Sequence, residues 1–173
     1  MLWIAVGVML GFGAAELPAL ARMSSHGTGV LGFEFAASPA RLREIMGRWG
    51  SAGRAGARQH VLLDLGFICG YGVLLLGMCG RLSEGFRRRG RARAAGVAAL
   101  LAWGALIAAA TNALQKAFLW LEIHGHIEQP LPSIAAACAG ITFTLALSAV
   151  AFASFGALWL YRQPAAHAVG EPL

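Results

Sequence analysis

Four long apolar runs, at roughly 2–21, 61–80, 94–121 and 134–161, dominate the chain, and the stretches between them are polar, basic or rich in glycine and proline. Each run supplies about the 20 residues a helix needs to cross the hydrocarbon layer of a bilayer. Inside lipid every backbone polar group needs a partner within the protein, and no segment alternates with the period of a barrel strand. The pattern therefore predicts an all-α, four-helix transmembrane bundle occupying residues 1–173 as a single domain. Punctuation agrees with these limits. Gly80 and RLSEGFRRRGRAR close the second run and open the third, PLPS at 130–133 breaks the chain and offers Ser133 as a cap, and Pro164 with a polar tail ends the fourth. A rival reading of the first run is a cleaved signal peptide, since Ala19-Leu20-Ala21 fits a cleavage site. The run has no basic leader and carries Glu16, which favours a retained span.

Within the long first connection, SPARLREIMGRWG (38–50) starts on Ser38-Pro39, places Leu42, Ile45, Met46 and Trp49 on one helical face and stops at Gly50. A short amphipathic helix follows, lying at the interface or roofing the bundle, with Trp49 at headgroup depth. Two small-x-x-x-small pairs, Gly7 with Gly11 and Gly66 with Gly70, would let the first and second spans approach closely.

Composition narrows the class further. Of 173 residues 58% are hydrophobic and only 13% charged, too apolar for a soluble domain. The net charge of +6 comes from arginines beside the apolar runs with no nucleic-acid motif among them, so nucleic acid is excluded as a partner and the lipid bilayer takes its place. Cys69, Cys79 and Cys138 lie inside apolar runs without a C-x-x-C pair and read as small core residues. Six arginines crowd residues 81–93 whereas 122–133 has neither Lys nor Arg, which orients both termini to the cytoplasm. The connection 22–60 has six arginines of its own and speaks against that orientation, but it is long and they are sparse. The richness in Ala, Gly and Arg suits a bacterial chain, and the expected location is the bacterial cytoplasmic, or inner, membrane.

Charged groups inside the runs carry the candidate chemistry. With that topology Glu16, Asp64 and Lys116 fall about 7.5, 4.5 and 7.5 Å below the outer ends of their helices, at 1.5 Å per residue. A lone charge at the centre of a span costs about 2.5 to 3.5 kcal/mol, so groups sharing a layer are expected to turn inward and pair. Asn112, Gln115 and Lys116 follow the i, i+3, i+4 rule and form one polar wall, with Asp64 or Glu16 opposite Lys116. His60, Asp64, Phe67 and Tyr71 stack along one stripe of the second span, placing a phenol below the carboxylate. The ligand or ion-binding candidates are thus Glu16, Asp64, Tyr71, Asn112, Gln115 and Lys116. A structural reading competes with this one: Lys116 near the boundary can snorkel, and Asp64 can serve the first turn of its helix.

A second constellation is HGHIE, where His124, His126 and Glu128 offer zinc or copper ligands in a connection on the side of His26 and His60. No histidine lies deep in a span as axial haem ligation requires, and the sequence assigns no cofactor. Without a G-x-S-x-G, H-E-x-x-H or phosphate-loop motif, the chain reads as non-enzymatic. Thr142, Thr144 and Ser148 serve backbone carbonyls or cross-helix bonds.

FEFAAS (33–38), LDLGFICGY (63–71) and NALQKAFL (112–119) resemble the markers of small four-helix bacterial integral membrane proteins, in which an L-D-x-x-F-x-x-x-Y stretch opens the second span and a D-x-x-E-N stretch lies late in the third. Leu63, Asp64, Phe67 and Tyr71 match the first marker. Asn112, Gln115 and Lys116 replace the acidic, acidic and amide positions of the second, so the resemblance implies the fold and no acid-dependent role. The functional expectation is a membrane protein that binds a lipid, another small amphiphile or a partner subunit through a polar cavity in the outer leaflet. The alternatives are a small ion or proton transporter, or channel component, using Glu16, Asp64 and Lys116, and a metalloprotein built on the outer histidines. A homo-oligomer could supply a further wall.

Overall fold

The computed structural model describes residues 2–25 and 28–162; His26 and the tail from Pro164, both noted from the sequence, lie outside them. All regular structure among the described residues is helical: α1 Leu2–Ser24, α2 Val30–Glu34, α3 Pro39–Arg88, α4 Ala92–Ile123 and α5 Leu131–Arg162. α1, α3, α4 and α5 are long and apolar enough to cross a membrane, which makes the chain a multi-pass membrane protein. Trp3, Ile4, Leu100, Trp103 and Phe155 point outward, as side chains facing acyl chains do.

The four spans occur where the apolar runs put them, but α3 is far longer than 61–80. Its only interruption is Gly50, whose φ of 59° and ψ of −157° belong to a region reserved for glycine, and the chain turns there from a 39–49 arm into a 51–88 arm. Residues 51–60 and 81–88, expected as connections, are helical because each has a face to bury. Gly53, Gly56 and Ala57 are buried in the first stretch, where Gly56 comes up against Ala19 of α1, and Leu82, Ser83 and Phe86 in the second, where Ser83 Oγ donates to the Ala95 carbonyl at 2.9 Å. Glu84 and Arg88 pair at 2.9 Å on the exposed side of that extension.

The 39–49 arm starts as expected, with Ser38 Oγ accepting from Arg41 N at 3.3 Å and Pro39 in the first turn. Leu42, Ile45, Met46 and Trp49 are all buried, so the arm roofs the bundle; Trp49, expected at the headgroups, is 1% exposed and donates its indole N–H to the Thr28 carbonyl at 2.8 Å. α2 has no counterpart in the sequence reading. Phe33 anchors it against Trp49 with ring centroids 5.0 Å apart, and this seats Glu34 at the same end of the bundle. Ser133 lies inside α5 rather than at its cap, and its hydroxyl donates to the Ala37 carbonyl at 3.0 Å, tying α5 to the roof.

α1 packs on α3, α3 on α4 and α4 on α5, with a lesser contact of α3 with α5. The α1–α3 contact is close, but only one of the two glycine pairs makes it: a Cβ on Gly70 would stand 2.8 Å from the Met9 backbone N and one on Gly66 2.4 Å from the Phe12 ring, whereas Gly7 and Gly11 face open space. Cys79 and Cys138 are buried core residues; Cys69 is exposed, and all three are free thiols.

Candidate functional site

The packing order leaves α1 and α5 flanking one face of α3, and between them lies a cavity of about 530 Å³. α3 supplies its floor through a stripe that starts at His60 and Asp64 and continues through Phe67, Tyr71, Leu75 and Met78, every three or four residues. From Asp64 to Met78 the stripe runs about 21 Å at 1.5 Å per residue. Met9 and Leu20 of α1 and Phe143, Ala146 and Val150 of α5 form the side walls, and α2 closes the roofed end with Val30, Leu31 and Glu34. Phe143 and Val150 are themselves exposed, so the cleft is open along α5.

Charge is gathered at the roofed end. Lys116, 2% exposed, forms ion pairs with Glu34 Oε1 and with Asp64 Oδ2, the latter at 2.8 Å. His60 stands next to it. Its Nδ1 is 3.1 Å from Glu16 Oε2, and its Nε2 is 3.4 Å from Glu34 Oε1 and 3.5 Å from Lys116 Nζ, so this nitrogen donates to the first or accepts from the second according to its tautomer. Burial alone would push the Glu34 carboxyl up, but the hydrogen bond with His60 and the charge of Lys116 outweigh it and hold it below its ordinary value of 4.5. One turn further along the cleft, Asn112 Nδ2 donates to the Tyr71 hydroxyl at 3.3 Å, and that hydroxyl donates to the Ala108 carbonyl at 3.3 Å.

The structure thus brings together Glu16, Asp64, Tyr71, Asn112 and Lys116, all of which line the cleft, with Asp64 as the direct partner of Lys116 and Glu16 joined through His60. Gln115 is not with them. It is buried but lies off the cleft with Nε2 unpartnered, because residues one apart on a helix point about 100° from each other and Lys116 already faces the cavity.

Glu34 and the direct role of His60 were not foreseen. Glu34 sits in a connection, where an acid is normally solvated; its flanking by Phe33 and Phe35 was the available signal, and the i−4 spacing of His60 from Asp64 was the other. Thr142 donates to the Ala108 carbonyl at 3.3 Å, whereas Thr144 and Ser148 bond carbonyls of their own helix at 2.8 and 2.7 Å.

His124, His126 and Glu128 do not form a group of three close ligand atoms. All three are exposed, and His124 donates from Nδ1 to the Trp120 carbonyl at 2.7 Å with its ring against the indole. Among the described residues the group of metal-ligand atoms lying within 4.8 Å of one another is Glu34, His60 and Asp64. The Lys116 ammonium already bridges both carboxylates of that group, so the cation that pairs with them is a side chain of the protein. No protein-family model matches the chain, and no curated protein or solved structure matches it.

Proposed function

We propose that the protein binds a small amphiphile, with the head of the ligand at the Glu16–His60–Glu34–Lys116–Asp64 cluster and its chain in the apolar cleft between α1 and α5. One observation carries the reading: a single cavity joins a buried charged end to an apolar trough open along α5. Such a shape fits a molecule that is polar at one end only. A path for ions needs charged groups at more than one depth, and the charged residues lining the cleft are confined to its roofed end.

In this reading the roofed end belongs to the outer leaflet of a bacterial cytoplasmic membrane, with both termini inside. The Arg-rich stretch between α3 and α4 supports that orientation, as the connection between α4 and α5 has no Lys or Arg.

The test is native mass spectrometry of the full chain released from mild detergent, alongside Val150→Trp. Val150 lines the cleft yet is 47% exposed, so an indole there obstructs the trough without invading the core. The wild type should retain an amphiphile adduct and the variant should lose it. A wild type free of adducts in detergent and after incubation with lipid, or a variant that keeps them unchanged, would defeat the proposal.

A further inference from the structure

The charge at the head of the cleft does not balance. Glu16, Glu34 and Asp64 bring three carboxylates, against which stand Lys116 and His60. Counted with all three carboxylates ionised, one negative charge is left over even with His60 protonated, and two with His60 neutral. The surplus has an address. Lys116 bridges Glu34 and Asp64, and His60 engages Glu16 through Oε2, but Glu16 Oε1 is buried with no hydrogen-bond partner. Glu16 is 6% exposed and lines the cavity. A buried acceptor without a donor is costly, and more so when it is charged, so this oxygen is the atom that a ligand can satisfy.

We propose that the cleft selects an amphiphile whose head is a protonated amine, donating to Glu16 Oε1 and cancelling the surplus charge. The inference rests on the cleft being an amphiphile site and names the class of its ligand. Discrimination must fall on the head: acyl chains of the bilayer are as apolar as the trough, so moving a chain from one to the other gains little beyond packing. An ammonium matches both deficits of the site. A hydroxyl repairs the hydrogen bond and leaves the charge; a carboxylate or phosphate adds another negative charge beside Glu16. The expected order is amine, then alcohol, then carboxylate.

Dodecylamine, dodecanol and laurate, which share one chain, separate these terms. Each is titrated near neutral pH into the full-length protein in maltoside micelles, and affinity is read from the rise in melting midpoint, since a ligand of the folded state, at free concentration L, stabilises it by RT ln(1 + L/Kd). The wild type should bind the amine about tenfold or more tightly than laurate, tenfold corresponding to about 1.4 kcal/mol. Glu16→Gln should bring that ratio close to one, Glu16→Asp should keep part of it, and Val150→Trp should weaken all three ligands together. Equal binding of the three by the wild type, or preference for laurate, overturns the assignment of the head and leaves the amphiphile site standing. Binding of none overturns both. The ranking by the wild type decides the matter even if Glu16→Gln does not fold.

Discussion

Lys116 shows what a single charge requires inside a membrane protein. Its ammonium meets Glu34 of α2 and Asp64 of α3 and lies 3.5 Å from His60, also of α3, so two other elements supply its partners. Removing one member of a buried pair leaves the other uncompensated, at a cost of about 3–5 kcal/mol. Lys116→Met and Asp64→Asn should each destabilise the protein by that order, while the double variant should cost less than the sum, with a coupling of about 0.5–3 kcal/mol. Reversible unfolding in mixed micelles measures all three, and simple additivity would deny the pairing. The i, i+3, i+4 spacing read from the sequence made Asn112 and Lys116 neighbours of the cleft, and it failed for Gln115. Spacing fixes which residues lie close on one helix; which of them faces a partner depends on how the helix is rotated against α3.

At the level of the elements, α1 stays close to α3 because of glycines on one side only. A methyl on Gly70 would press on the Met9 backbone, which cannot move aside without shifting α1, whereas a methyl on Gly7 would meet nothing. Gly70→Ala should therefore lower stability by about 1–3 kcal/mol, the range for overpacking, and Gly7→Ala should be nearly neutral. The two variants are compared by thermal melting in the same detergent; equal effects would refute the close approach. The sequence offered both glycine pairs as equal candidates, since small residues at a four-residue spacing look alike whichever way they point. α2 escaped notice for a related reason. Its five residues are too few to show a helical period, and it holds its place through Phe33 against Trp49, a contact between segments far apart in the chain.

For the molecule as a whole, the proposed orientation makes a prediction of its own. In a variant whose three native cysteines are replaced by alanine, a cysteine introduced by His126→Cys should react with a membrane-impermeant maleimide in intact cells, and one introduced by Arg89→Cys should react only after the cells are opened. Both sites are exposed on the protein, so accessibility reports the side of the membrane. The opposite pattern would place the roofed cleft at the cytoplasmic face. The long α3 matters at this scale too. Its 51–88 arm spans about 57 Å at 1.5 Å per residue, well beyond a hydrocarbon layer of about 30 Å. It therefore carries one floor from the roof, through the cleft, to the Arg-rich end.

The four spans, the amphipathic arm ending at Gly50 and the meeting of Asp64 with Lys116 were legible in the chain, because length of apolar run, helical period and the expense of a charge in oil are properties of local sequence. The folding of α2 over the bundle, the entry of Glu34 and His60 into the cluster and the cleft between α1 and α5 were decided by tertiary packing. Those features depend on which faces of separate helices come together, and the pattern along any one segment holds no record of the rotation and offset that bring them into contact.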